Sequence, residues 1–148
     1  MLYPGDTAPD FTATSHTGVS VTLSSLRGKK VLLWFYPEAD TPGCSLEGRG
    51  FRDHREYYDE NGIQIVGVSF DQVERNAAFA QKHDFKFPLL SDVDRKIALA
   101  YGACSGVKAQ HAERMSFLID EDGKIARVYD AVDPRDHPAK VLAEILGV

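Results

Sequence analysis

The residue best placed to do chemistry in this sequence is Cys44, because of what precedes it: Tyr36-Pro37-Glu38-Ala39-Asp40-Thr41-Pro42-Gly43-Cys44. Six apolar residues, Val31 to Tyr36, run into Pro37, and a helical spacing of apolar side chains begins at Pro42. A thiol in the first turn of a helix meets backbone N–H groups without intrahelical partners and the positive end of the helix dipole. Both favour the thiolate, the nucleophilic form of cysteine. Thr41 reads as the N-cap and Pro42 as the first helical residue, where a missing N–H costs nothing. The Thr41 hydroxyl is expected to reach the sulfur beside the first-turn amides. Pro37, its φ fixed by the ring, is expected to shape a loop that shields the sulfur from bulk water. A thiolate held this way and open to a small solute attacks a peroxide O–O bond and becomes a sulfenic acid. The blander reading, a well-formed helix start with a small buried cysteine, fits free cysteines in general; here the cap, the proline and the strand-to-helix junction all converge on one sulfur.

The elements that must position Cys44 follow from hydrophobic spacing. Val31 to Tyr36 has no polar alternation and reads as a strand covered on both faces. After it, Leu46, Phe51, Tyr57 and Tyr58 fall at roughly helical intervals up to Asn61-Gly62, with a kink expected at Gly48 and Gly50. Ile63 to Phe70 is a second apolar strand, Val73 to His83 a helix, and Phe87 to Leu90 a short extended piece. Val93, Ile97, Ala100 and Tyr101 share a helical stripe that stops at Gly102, and residues 103–113 read as a loop. Ser116 to Ile119 and Ile125 to Tyr129 flank the turn residues Asp120 to Lys124 as a hairpin, and a last amphipathic helix carries Pro138, Val141, Leu142, Ile145 and Leu146. Before all of these, Phe11 to Ala13 and Val19 to Leu23 flank His16-Thr17-Gly18 as a short hairpin. Strands alternating with helices require crossover connections and a largely parallel sheet, which the last hairpin makes mixed. The expectation is one α/β domain over residues 1–148, a central mixed β-sheet flanked by helices with an N-terminal β-hairpin.

Composition narrows the function classes. A chain of 148 residues with 43% hydrophobic and 26% charged residues can bury a proper core. A net charge of −5 supplies no basic surface for a phosphate backbone, so no nucleic-acid partner is expected. The start, Met1-Leu2-Tyr3-Pro4-Gly5-Asp6, has neither the basic flank nor the apolar core of a signal peptide, and no stretch suits a membrane span. Two cysteines, Cys44 and Cys104, do not make a disulfide scaffold. The five histidines are scattered with no ligand spacing, so neither metal nor cofactor is expected. A reducing, cytoplasmic setting is the simplest expectation.

The spacing Pro37-x-x-x-Thr41-x-x-Cys44 resembles the active-site pattern of the peroxiredoxins. Thr41-Pro42-Gly43-Cys44 is most similar to the bacterioferritin-comigratory, PrxQ-type branch of the AhpC/TSA family. The likeness runs along nearly the whole chain. It takes in Gly5-Asp6-x-Ala8-Pro9-Asp10-Phe11, Val68-Ser69-Phe70-Asp71, Phe87-Pro88-Leu89-Leu90-Ser91-Asp92 and Arg114-x-Ser116-Phe117-Leu118-Ile119-Asp120. The resemblance implies a thioredoxin-like fold and a thiol-dependent peroxidase acting on hydrogen peroxide and organic hydroperoxides. Cys44 would be the peroxidatic cysteine, Thr41 would position the peroxide through its hydroxyl, and Pro37 would shield the site. Arg114 would stabilise the thiolate and the departing oxygen, and Glu47 would orient that arginine. The same roles make chemical sense, since a fixed cation and aimed donors favour charge developing on sulfur and oxygen. Taken alone, Arg114 would be a solvated charge at a strand start and Glu47 a favourable acid near a helix N-terminus.

The chain departs from that branch at the second cysteine. The position five residues after Cys44, where many of its members carry a resolving cysteine, is Arg49, and Asn76 to Ala80 holds none either. The remaining candidate is Cys104. Either Cys104 resolves the Cys44 sulfenate, within one chain or across a homodimer, or it is a spectator and an external thiol attacks the sulfenate in a one-cysteine cycle. A thioredoxin-type dithiol would be the reductant, and the protein would act as a monomer or homodimer. A non-catalytic thioredoxin-like interaction module is the reading from a different class.

Overall fold

The computed structural model describes residues 2–130 and 132–147. A five-stranded sheet forms its centre, in the order β5 (Leu89–Ser91), β4 (Ile63–Ser69), β3 (Lys30–Phe35), β6 (Met115–Ile119) and β7 (Ile125–Tyr129). β3, β4 and β5 are parallel; β6 and β7 run antiparallel to β3 and to each other. The N-terminal strands β1 (Thr12–Thr14) and β2 (Ser20–Thr22) form a separate antiparallel hairpin, followed by a 3-10 turn at Leu23–Leu26. The expected α/β architecture is present: a mixed central sheet, flanking helices and the hairpin.

The lack of alternation in β3 has a direct cause. Val31, Leu33 and Phe35 pack on one face with Tyr101, Phe117 and Ile97, whereas Leu32, Trp34 and Tyr36 pack on the other with Phe51, Phe79 and Cys44. Two apolar faces need two layers of cover. Helices α1 (Pro42–Asp53), α2 (Arg55–Glu60), α3 (Val73–His83) and α5 (His137–Leu146) put buried residues into the Cys44 cluster. Helix α4 (Lys96–Tyr101) covers the opposite face. Among the described residues no helix is long and apolar enough to cross a membrane.

Two local expectations need correction. The kink does not fall at Gly48 or Gly50, because α1 runs through both and the helix breaks at His54. The glycines are there for close packing. A Cβ on Gly48 would stand 2.5 Å from the Phe85 ring, and one on Gly50 would stand 2.8 Å from the Pro138 ring. The break after His54 leaves Tyr58 buried, with its hydroxyl donating to the Pro138 carbonyl at 2.7 Å. The second correction concerns Val93, which is 49% exposed and outside any helix. Helix α4 starts only at Lys96, where the buried Asp92 carboxylate accepts the N–H groups of Ile97 and Ala98 at 3.0 and 2.8 Å. That carboxylate caps the helix in place of the turn that would have carried Val93.

Candidate active site

Strand β3 delivers the chain to Tyr36, and the next five residues turn it into α1. Thr41 occupies the N-cap position with extended backbone (φ −94°, ψ 156°), and its carbonyl accepts the Ser45 N–H at 2.8 Å. Pro42 is the first helical residue and Cys44 the third, so the sulfur belongs to the first turn, as its spacing implies. One expected contact is absent. The Thr41 hydroxyl makes no cap bond and is not directed to the sulfur; it donates backward to the Glu38 carbonyl at 2.8 Å. A hydroxyl has a single proton, and that carbonyl takes it, leaving the oxygen lone pairs free to accept.

Arg114 immediately precedes β6, and the antiparallel register sets Met115 opposite Phe35, the last residue of β3. The strand pairing therefore brings Arg114 to the same end of the sheet as the α1 N-terminus. Its Nη2 donates to Cys44 Sγ at 3.5 Å and its Nη1 to Glu47 Oε1 at 2.7 Å. One rigid fork thus spans the sulfur and a carboxylate, a geometry lysine cannot reproduce. Glu47 lies one helical turn after Cys44 and is fully buried. Burial pushes its carboxyl above the ordinary value, with the Arg114 bond and the Trp34 indole N–H pulling the other way. Glu47 Oε2 and Trp34 Nε1 are each without a partner of full hydrogen-bond geometry, so the indole contact is a loose one. Burial also works against the charge of Arg114, but its bond to Glu47 and the neighbouring Cys44 outweigh that, and its titration is raised.

Cys44 is itself buried, whereas Thr41 and Gly43 are half-buried and Pro42 is exposed. Only a small oxidant suits such a sulfur unless the turn moves. Pro37 is half-buried and, with Glu38, forms one wall of a cleft shared with Phe70, Arg95, Gln110 and His111. The structure thus gathers Cys44, Thr41, Arg114 and Glu47 in one place, with Pro37 at the head of the same turn. It does not bring Cys104 there. That thiol is half-buried after α4, packs against the cluster on the far face of the sheet, and donates only a weak 3.7 Å contact to the Gly106 carbonyl. Both cysteines are free thiols.

The pattern of the AhpC/TSA family matches residues 4–128. The chain belongs to the AhpC/TSA family. A relative from Coxiella burnetii that carries a peroxiredoxin bcp name is 40% identical over 146 residues, spanning 95% of this chain and 97% of that protein. Among solved structures, the peroxidoxin BcpB of Mycobacterium tuberculosis superimposes with a TM-score of 0.91 at 35% identity, covering 100% of this chain and 99% of its own. A Xanthomonas campestris bacterioferritin comigratory protein, solved as trapped intermediate and ligand complexes bearing on its alkyl peroxide reduction activity, gives 0.86 at 29% identity, with 93% and 90% coverage. The thioredoxin-like fold and the PrxQ-type resemblance both hold. As a peroxiredoxin of the AhpC/TSA family, the protein is a thiol-dependent peroxidase, and peroxide is its substrate.

Sequence reasoning missed two residues that shape this candidate site. Asp71 and Arg75 bind the turn between Pro37 and Thr41 from the far side. An aspartate closing a strand and an arginine four residues on, in a helix, carry no sign of that partner.

Proposed function

We propose that Cys44 is the peroxidatic residue and that its sulfenate is reduced directly by an external thiol of thioredoxin type, in a cytoplasmic setting, without a Cys44–Cys104 disulfide. The observation that carries the assignment of Cys44 is the 3.5 Å approach of Arg114 Nη2 to its sulfur at the start of α1.

In the first half-reaction the Cys44 thiolate attacks one peroxide oxygen. A sulfur–oxygen bond forms, the O–O bond breaks, and the other oxygen leaves as an alcohol or water once protonated. Thr41 Oγ1, its own proton given to Glu38, accepts the peroxide O–H and fixes the angle of approach. Arg114 stabilises negative charge on the sulfur and then on the departing oxygen, and Glu47 holds the guanidinium for both tasks. Pro37 shields the turn. In the second half-reaction a thiol displaces water from the sulfenic acid and forms a mixed disulfide, and a second thiol releases Cys44. The balance is one peroxide and two thiols to an alcohol, a disulfide and water.

Supporting the direct route, the sheet stands between Cys44 and Cys104, and the Cys104 loop is fixed by Ala103 N–H to Ala98 and Glu113 N–H to Ala103, both at 2.8 Å. A disulfide requires Cα atoms within about 7 Å. Thiol-dependent hydrogen peroxide turnover by wild type, Cys44→Ser and Cys104→Ser, with peptide mapping after one equivalent of peroxide, tests the proposal. The expected result is no turnover in Cys44→Ser, near-normal turnover in Cys104→Ser and no Cys44–Cys104 linkage. A mapped linkage within one chain or across a homodimer overturns the direct route, and peroxide consumption by Cys44→Ser overturns the assignment of Cys44.

A further inference from the structure

The peptide groups of Ala39, five residues before the sulfur, are gripped on both sides. Its N–H donates to Asp71 Oδ2 at 2.8 Å, and its carbonyl accepts Arg75 Nη2 at 3.1 Å. The same Arg75 nitrogen lies 2.9 Å from Glu38 Oε1, while Arg75 Nε lies 3.6 Å from Asp71 Oδ1. Asp71 is the buried member of this group, its side chain only 7% exposed. Its carboxylate also accepts the Ser69 hydroxyl at 2.8 Å. Ser69 lies 3.3 Å from Asn76 Oδ1, which accepts the buried Tyr36 hydroxyl at 2.5 Å. A polar chain thus runs from the end of β3, through α3 and the end of β4, back to Ala39.

What these contacts hold is the geometry of the reacting groups. The Glu38 carbonyl takes the Thr41 proton, so Glu38 decides where the Thr41 oxygen points. Asp40 adopts a left-handed backbone (φ 62°), uncommon for a residue with a side chain, and its carboxylate is tied to Lys82 at 2.8 Å. Every residue from Glu38 to Thr41 is therefore bonded outside its own peptide, three of them to the end of β4 or to α3. Arg114 and Glu47 position the sulfur from one side, and nothing in that pair fixes Thr41. The Asp71–Arg75 pair supplies the other side.

We infer that Asp71 and Arg75 are positioning residues for peroxide reduction, and that the same pair is the latch that must release before a thiol can reach the oxidised sulfur. The inference rests on Cys44 being the attacking residue. Its second half follows from burial: Cys44 has no exposed surface, and a thiol larger than a peroxide needs the turn that Asp71 and Arg75 pin to move aside. Loosening the latch therefore acts in opposite directions on the two half-reactions. Peroxide reduction slows as Thr41 loses its aim, and sulfenate reduction quickens as the turn opens. A residue that merely stabilised the fold would move both rates together.

The test measures the half-reactions separately in a Cys104→Ser background, with Asp71→Ala, Asp71→Asn and Arg75→Met. Sulfenate formation at Cys44 with hydrogen peroxide is followed by rapid quench and mass spectrometry. Reduction of the preformed sulfenate by dithiothreitol is followed the same way. The Arg75 side chain is half exposed, so Arg75→Met folds even if Asp71→Ala does not. Displacing a reacting group by about 1 Å can cost up to about a hundredfold. Arg75→Met and Asp71→Ala are accordingly expected to slow sulfenate formation about tenfold or more and to speed its reduction by dithiothreitol. Asp71→Asn keeps an acceptor for the Ala39 N–H and recovers most of the peroxide rate. Variants that match wild type in both rates, or change both in the same direction, overturn the latch. If the parent protein forms no sulfenate at Cys44, the reading on which the latch rests fails instead, and the two failures are told apart by the parent alone.

Discussion

A methyl group placed on Gly43 would stand 2.8 Å from Nη2 of Arg114, the nitrogen that contacts the Cys44 sulfur. Gly43 lies within α1 and is not among the residues with a left-handed backbone, so alanine fits the helix without strain. The clash falls on Nη2 at the far end of a flexible side chain, which can yield by tilting that nitrogen away from the sulfur while Nη1 keeps its bond to Glu47. Gly43→Ala therefore separates stability from activity. Replacing glycine by alanine inside a helix favours the fold by about 0.5–1 kcal/mol. The same change is expected to slow Cys44 oxidation roughly tenfold by misplacing its cation. Urea unfolding and stopped-flow oxidation on one preparation check both; an unchanged oxidation rate would mean that Arg114 Nη2 does not act on the sulfur.

Glu47 and Arg114 should differ in what they cost. In the proposed mechanism Arg114→Met removes a donor aimed at developing charge, and losses of about 10²–10³-fold follow removal of such a donor. It also leaves the buried Glu47 carboxylate unpaired, so stability falls as well. Glu47→Gln keeps an oxygen for Arg114 Nη1 but takes away the counter-charge of the guanidinium, so activity drops less, by about tenfold, and stability falls less than in Arg114→Met because Arg114 is the more exposed partner. Peroxide-limited turnover and thermal unfolding of both variants give the ordering. Equal losses of activity would show that Glu47 does more than hold the guanidinium.

How far the sequence carries depends on whether the signal is local. The strands, their succession along the chain and the Thr41-Pro42 helix start were legible because each rests on neighbours along the chain. The apolar run of β3 could not say which face Cys44 would join, since a strand buried on both faces has no alternation to read. For the same reason the separation of Cys44 from Cys104 by the sheet was invisible. Gly48 and Gly50 read as helix weakness when they are room for Phe85 and Pro138. Arg114 and Glu47 came from resemblance, because a contact across 67 positions has no spacing to betray it. Asp71 stood in a segment shared with the family but with no role attached, and Arg75 had no signal, for both act on the backbone of Ala39, and a backbone group shows no residue preference.

Cys104 offers a test of recycling that leaves the peroxide step untouched. It packs across the sheet from Cys44 and has no contact with Thr41 or Arg114 in the hydrogen-bond network. Cys104→Ser should keep the rate of Cys44 oxidation. It should also keep thioredoxin-type turnover within about twofold, because this surface-adjacent change alters neither packing nor charge greatly. Steady-state assays that vary peroxide and reductant separately check the two limbs. A collapse confined to the reductant limb would return the resolving role to Cys104.

His137 ties stability to pH at a distance from the chemistry. It begins α5, is 5% exposed, pairs its Nε2 with Ser116 Oγ at 3.0 Å, and stands edge-on to the rings of Phe51 and Tyr129. Burial pushes its titration down to about 4, with Asp136 pulling weakly the other way. An unfolded histidine titrates near 6.5, so between those values the unfolded chain takes up a proton that the folded chain refuses. The contribution is present in full above pH 6.5 and is lost as pH falls toward 4, by roughly 3 kcal/mol at the end of the window. Glu47, shifted in the opposite sense, gives a contribution of opposite slope, so the comparison must be between variants. His137→Gln can keep the Ser116 bond without a titrating ring. Urea unfolding from pH 7 to 4.5 should show wild type losing stability relative to His137→Gln as the pH drops. Parallel curves would mean that the folded chain accepts the proton as readily as the unfolded one.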